Sequence, residues 1–279
     1  MLFDKVIEPI LSYGSEIWGF NDAEEVERVH VQFCKRILRL RRSTAGYFVY
    51  GELGRRPLIC KRYKRIVKYW LKIVTQGSKP LVREAYTMMY RAVEADNRVI
   101  NWASHVKQLL NSMGFGDVWL YQGVANAEMF LRIFEQRIND NALQTWSLSV
   151  NNGSYSIIYR ELKTAPEYSS YFNLIVQPKY RYQFIKFVTR NHTLSVVTGK
   201  WHKPRPIPYD QRVCNVCNKL EDEYHVIFEC TKFTSLRNKY IPVEARSHPS
   251  MGKLVSLLAT THVPTLRNLA IFIYKISQQ

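Results

Sequence analysis

The chain has 279 residues and a formal net charge of +17 at pH 7, from 40 Lys and Arg against 23 Asp and Glu. Hydrophobic residues at 46% and aromatics at 13% exclude a mostly disordered chain, and ordinary Gly and Pro contents exclude collagen-like or linker-like sequence. The length exceeds one typical domain, and the basic excess points to a polyanionic partner, a nucleic acid or an acidic membrane surface, without bearing on catalysis.

Asp4, Lys5 and Glu8 interrupt the apolar residues at the start of the chain, which a signal-peptide core would not tolerate. No apolar run approaches the roughly 20 residues that span a bilayer, the longest near the end being Leu269 to Tyr274. The expectation is an intracellular protein of nucleus or cytoplasm, not secreted and without a membrane partner.

Helix signals fill residues 1–75. Asp22 and Glu25 have the form of a capping box. Val26, Val29, Phe33, Ile37 and Leu40 recur at spacings of three and four and predict an amphipathic helix. Glu24, Glu25 and Glu27 at its start and Lys35, Arg36, Arg39, Arg41 and Arg42 at its end complement the helix dipole. A second helix is predicted over 61–75. Its apolar side carries Tyr63, Ile66, Val67, Trp70, Ile73 and Val74; Lys61, Arg62, Lys64, Arg65, Lys68 and Lys72 lie largely opposite.

Beyond residue 79, helices are predicted over 84–96, 102–110 and 127–138, with a turn at Met113 to Gly116. Phe130, Leu131, Phe134 and Ile138 share one side of the third. Asn151-Asn152-Gly153 forms a turn and a hinge. Tyr155 to Leu162 and Tyr180 to Thr189 are short elements, the second readable as helix or strand. Pro204, Pro206 and Pro208 enforce an extended, irregular backbone. The fold class is mostly α, a helical region followed by a small zinc knuckle. The expected segments are 1–75, 76–150 and 151–279, the last holding the knuckle at about 205–240.

Of five cysteines, three fall within 17 residues: Cys214, Cys217 and Cys230. With His225 they read C-x2-C-x7-H-x4-C. Three thiolates and one imidazole suit a closed tetrahedral zinc site, structural rather than chemical. A redox dithiol and inert buried thiols are the alternatives; a third cysteine at ligand-like spacing favours one structural Zn2+. Phe228 and Phe233 suit a small apolar pack around it. Cys34, beside Phe33 and Ile37, reads as core.

Positive charge is concentrated in two stretches. Between Arg28 and Lys72 there are fourteen Lys or Arg and one acid, Glu52. Between Lys179 and Arg212 there are eight against Asp210. Acids that would make these ordinary solvated faces are nearly absent, so a phosphate-facing surface is expected. Its candidate contacts are Lys35, Arg36, Arg39, Arg41, Arg42, Arg55, Arg56, Lys61, Arg62, Lys64, Arg65 and Lys68, then Lys200, Lys203, Arg205 and Arg212. Tyr47, Tyr50, Tyr63 and Trp70 are interleaved aromatics, available for stacking or for the core. A zinc module behind basic residues suits single-stranded nucleic acid or a protein partner. A surface loop at Glu221, Asp222 and Glu223 would repel phosphate on its side.

Two stretches resemble the region downstream of the polymerase core in non-LTR, LINE-type, jockey-like retrotransposon reverse transcriptases. The first is PILSYGSEIWG at 9–19, followed by FCKRIL at 33–38 and YGELGRRPL at 50–58, similar to that family's thumb. The second is HTL at 192–194, GKW at 199–201 and Arg212 through Cys230, ending near Arg237, similar to its C-terminal zinc segment. Thr198 and Lys200 depart from that segment, where the family often has an acid and an arginine. The resemblance covers both ends of the chain and leaves about 80–175 unmatched. It implies a thumb gripping a template–primer duplex and a knuckle holding template RNA or target DNA. The family's catalytic turn carries paired aspartates that hold two Mg2+ ions; no Asp-Asp pair occurs here. The expectation is a chain without a palm, not an enzyme by itself, binding RNA or single-stranded DNA and able to act with a separate polymerase subunit. The alternatives are a zinc-stabilised protein-interaction module and a non-functional transposon fragment.

Overall fold

A computed structural model describes residues 2–21, 23–75, 79–153 and 157–279. The Asp22 capping box and the start of the element at Tyr155 lie outside the described residues. Within them helices dominate, and strand-like pairing is limited to two isolated bridges, Leu53 with Tyr168 and Val213 with Leu220. The chain is mostly α. None of its described helices is long and apolar enough to cross a membrane.

Packing divides the chain into two compact units, Met1–Phe33 with Arg56–Thr145, and Cys34–Arg55 with Trp146–Gln279. Neither is contiguous, unlike the segments read from composition. The excursion Cys34–Arg55 joins the second unit because Phe48 packs on Trp146, Val150 and Tyr159.

Helix α1 spans Glu24–Leu38 with acids in its first turn and basic residues in its last. The side chains it buries are His30, Cys34, Lys35 and Leu38, while Val29 and Ile37, expected inside, are exposed. Of the expected stripe, Leu40 is buried and Val26 and Phe33 are half-buried, so the buried face overlaps the expected one in part. Phe3 stacks on His30 and packs against the Phe33 ring. His30 is admitted because Glu27 accepts from its Nδ1 at 2.8 Å. Cys34 is core, as expected.

Helix α2, Gly46–Leu53, ends at Gly54, whose φ of +61° is left-handed; a Cβ there would stand 2.6 Å from the Tyr168 nitrogen. Glu52 is buried and accepts from Ser169 Oγ at 2.7 Å and from the Tyr171 hydroxyl. Burial and the Glu52 charge hold the Tyr159 and Tyr171 hydroxyls well above their ordinary pKa.

Helix α3, Leu58–Val74, starts earlier than expected, after Pro57, and Glu27 accepts the Leu58 N–H at 2.7 Å. Ile66, Val67, Trp70, Leu71 and Ile73 form its buried face. They meet α4 (Pro80–Ala95), α5 (Trp102–Ser112) and α6 (Ala127–Asn151) in one apolar core. Trp70 Nε1 donates to Tyr86 at 2.9 Å, so this ring is core rather than a stacking surface. Asn101 and Ser104 supply a reciprocal cap for α5. Phe130, Phe134 and Ile138 are buried as expected, and α6 continues through Asn151 before the turn.

In the second unit, α7 (Pro178–Val188) resolves the helix-or-strand alternative. It packs on α10 (Val263–Ile276), which also receives α8 (Thr234–Tyr240); α9 (Met251–Leu258) buries Leu254, Leu257 and Leu258 in the same core. The apolar core of this unit takes in Phe184, Phe187, Leu254 and Phe272, and also Cys214 and Cys230. The triple-proline stretch has no regular structure.

Candidate metal centre

Cys214 and Cys217 sit in a tight reversal of the chain. Val213 pairs with Leu220, the Cys214 N–H donates to the Lys219 carbonyl at 2.7 Å, and Asn218 takes the left-handed conformation that closes the turn. Asn tolerates that region better than most residues. The other two ligands come from the single π-helical turn His225–Glu229 and the residue after it, Cys230. Asp222 accepts the His225 N–H at 2.8 Å and holds the start of that turn.

The four candidate ligand atoms lie within 4.8 Å of one another. Cys230 Sγ is 3.8 Å from both Cys214 Sγ and Cys217 Sγ. A tetrahedron with Zn–S bonds of about 2.3 Å has edges of about 3.8 Å, so these separations match ligands around one ion. All five cysteines are free thiols. His225 orients the set: its Nδ1 faces Glu229 Oε2 at 3.5 Å, while its buried Nε2 has no hydrogen-bond partner among the described residues. An orphaned imidazole nitrogen beside three sulfurs, with a carboxylate on the other ring nitrogen, is the arrangement of a metal-bound histidine. The cluster can hold a metal ion.

Its electrostatics favour thiolate at the rim. Thr231 approaches Cys217 Sγ with its hydroxyl at 3.3 Å and its N–H at 3.4 Å, and these contacts bring the Cys217 thiol down to about 6. Burial pushes the Cys230 thiol up to about 12, so deprotonating it calls for a cation at the centre.

A shell of buried charge frames the cluster. Arg237 donates to the Ile227 carbonyl at 2.8 Å and to the Cys230 carbonyl at 2.6 Å. Glu223 pairs with Arg190 Nε at 3.0 Å and His192 Nε2 at 2.9 Å. Burial alone would raise the Glu223 pKa; His192 and Arg190 overcome it and hold the group at about 2. Glu221 takes the Ser195 N–H at 2.8 Å. The acidic triplet is therefore structural, and the expectation of a phosphate-repelling surface loop is corrected. Sequence reading missed Glu229, Thr231 and Arg237 as supports. Glu229, four residues after His225 and adjacent to Cys230, was the one with a readable signal.

The candidate phosphate contacts divide by burial. Lys35, Arg62 and Arg212 are buried and serve the fold. Lys35 Nζ donates to the Arg42 carbonyl at 2.7 Å. Arg62 donates to the Asn21 carbonyl at 3.1 Å. Arg212 donates to the carbonyls of Ile207 at 2.9 Å and Val196 at 2.8 Å. Each donates to backbone carbonyls rather than to solvent. In the first unit Arg56, Lys61 and Lys68 are exposed and Lys64 and Arg65 half-buried; Lys61 pairs with Glu8, and Lys64 with Glu135. In the second, Arg36, Arg39, Arg41, Arg42, Lys203 and Arg205 are exposed, with Arg55 and Lys200 half-buried.

No family model, curated protein or solved structure matches the chain.

Proposed function

We propose that the chain is a nucleic-acid-binding protein of the non-LTR reverse-transcriptase type, held together at its C-terminal module by one structural zinc and not catalytic by itself. The observation that carries this reading is the closed ligand set of Cys214, Cys217, His225 and Cys230, in the same packing unit as the exposed cations of residues 36–42 and 203–205. The motifs at 9–19 and 192–230 supply the resemblance, and the lack of an Asp-Asp pair argues against two-metal phosphoryl transfer by this chain. RNA or single-stranded DNA is the proposed ligand, and a separate polymerase subunit is the proposed source of any catalysis.

Protein purified without added zinc should carry one zinc per chain by elemental analysis, and a value near zero would refute the ligand set. Binding of a single-stranded oligonucleotide should weaken steeply between about 50 and 200 mM salt. An affinity independent of salt would refute phosphate contact.

A second reading, docking to a protein, draws on exposed apolar side chains near the start of the first unit: Leu2, Val6, Ile10, Tyr13 and Ile17. Competition separates the two. A micromolar polyanion displaces a nucleic acid and leaves an apolar protein contact in place.

A further inference from the structure

The second unit holds a cavity of about 350 Å3 among the end of α2, the segment 162–171, α7 and α9. Its charge runs against that of the chain. Glu52, Glu167 and Lys163 are the charged residues of its lining, so two carboxylates meet one ammonium in a protein of net charge +17. We propose that this cavity binds a small primary amine as its ammonium ion, with the nitrogen on Glu52, Ser169 and Tyr171 and the carbon body against Phe184 and Leu258. The proposal does not depend on the nucleic-acid reading.

Hydrogen bonding selects a donor. Glu52 is 1% exposed and Ser169 4%. Ser169 Oγ donates to Glu52 Oε2 at 2.7 Å, and the Tyr171 hydroxyl donates to the same oxygen. The nearby Tyr159 hydroxyl donates to the Phe48 carbonyl at 3.4 Å. A hydroxyl has one hydrogen, so Ser169 and Tyr171 are both committed. They and the carboxylate offer a ligand only lone pairs, and a nitrogen seated there must bring its own hydrogens.

Charge selects a cation. A buried carboxylate is costly unless it is paired, and the donors on the Glu52 side chain are neutral. Burial lowers the Lys163 pKa and the Glu52 charge opposes that, yet the two form no ion pair among the described residues. Lys163 Nζ goes to the Glu167 carbonyl at 2.7 Å. An ammonium carries three donors and one positive charge, which meets both requirements. A neutral alcohol meets only the first, and a quaternary ammonium only the second.

The walls are fixed before a ligand arrives. The Ser169 N–H donates to the Glu52 carbonyl at 3.0 Å and Leu53 bridges Tyr168, which ties this segment to the end of α2. The Tyr171 ring meets Phe184 edge-on at 4.9 Å, so the polar and apolar walls are in contact. Glu52 and Ser169 are buried while Glu167 and Ala259 are exposed, which puts the carboxylate at the inner end and Ala259 at the mouth. The volume lies within the roughly 300–1,000 Å3 typical of small-molecule pockets.

The test titrates the full, zinc-loaded chain with phenethylamine at neutral pH by isothermal calorimetry, and saturable binding is expected. 2-Phenylethanol lacks the charge and phenethyltrimethylammonium lacks the donors. Each should bind about tenfold more weakly, the loss expected for a charged hydrogen bond. Glu52→Gln keeps an acceptor for Ser169 and Tyr171 but removes the charge, and should weaken phenethylamine binding about tenfold. Ala259→Trp, at the exposed mouth, should abolish binding with circular dichroism unchanged, and it decides the matter if Glu52→Gln does not fold. No binding of either phenethylamine or n-pentylamine at millimolar concentration would overturn the proposal and leave Glu52 a purely structural clasp. Undiminished affinity in Glu52→Gln or in Ala259→Trp would place the amine elsewhere and overturn it as well. A quaternary ammonium bound as tightly as the primary amine would refute the need for donors and, with it, the assignment.

Discussion

Helix α3 and the loops around the metal centre bury charge in contrasting ways. In α3 the apolar face alone meets the core, and Arg62 is its one fully buried cation. In residues 190–237, by contrast, Arg212, Glu223, His225 and Arg237 are all buried, and regular structure is scarce. There, arginine side chains take over the role of a helix or sheet ladder by satisfying backbone carbonyls. The helical unit is thus stabilised mainly by non-directional burial. The loop region depends on polar partners that must all be in place, since a half-satisfied network is costly.

The widest break between the two regions should come from metal removal. Structural zinc contributes about 10–16 kcal/mol in small peptides, so emptying the proposed site is expected to outweigh the loss of any single side chain. Chelation, or Cys217→Ser, should therefore abolish amide protection over residues 213–231 while α3, α4 and α5 keep theirs. Hydrogen exchange reads both at once. Equal loss in the two regions, or none in either, would remove the distinction.

Next in size are two truncations, one in each region. Trp70→Ala leaves a cavity among Trp119, Tyr86 and their neighbours and should cost about 3–5 kcal/mol. Zinc content should be unchanged, because Trp70 and the ligands belong to different packing units. Glu223→Ala leaves Arg190 buried without its carboxylate and should also cost about 3–5 kcal/mol. This second loss should be accompanied by weaker zinc retention against a chelator, measured as the midpoint of metal transfer. Undiminished zinc retention in Glu223→Ala would show that the polar frame and the centre are independent.

The same contrast explains what could be read in the sequence. Helices α3, α5, α6 and the first of the long helices were legible because apolar residues at helical spacing record a buried face directly. The candidate metal ligands were legible because C-x2-C with a later His and Cys is a chemical pattern independent of fold. The α1 stripe was legible only in part, because its buried set includes His30, which periodicity counts as polar and which is admitted by its contact with Glu27. The acidic triplet was misread for a related reason. A carboxylate is interior only when its partner is present, and the partners of Glu223, Arg190 and His192, lie some thirty residues earlier. The excursion of residues 34–55 into the second unit has no local signature at all, since Phe48 and Tyr159 meet only through the tertiary fold.

The smallest effects make the finest distinction, because they separate two cations on one helix. Arg62 and Lys68 lie on α3 within the same basic run, and composition treats them alike. Arg62 is buried, donates to the Asn21 carbonyl at 3.1 Å and stands 5.8 Å from the Trp18 ring centroid. Its replacement by Ala orphans a carbonyl and removes packing, and should cost about 1–3 kcal/mol. Lys68 is exposed, so Lys68→Ala should change stability by no more than about 0.5 kcal/mol. If it contacts a phosphate, the same substitution should reduce the slope of log affinity against log salt by about 1 and weaken all sequences equally. Arg62→Ala, measured at a temperature where the variant remains folded, should leave that slope alone. A reversal, with Arg62 setting the slope and Lys68 the stability, would mean that burial does not sort the basic residues into structural and binding roles, and the division of charge between the helical faces would have to be redrawn.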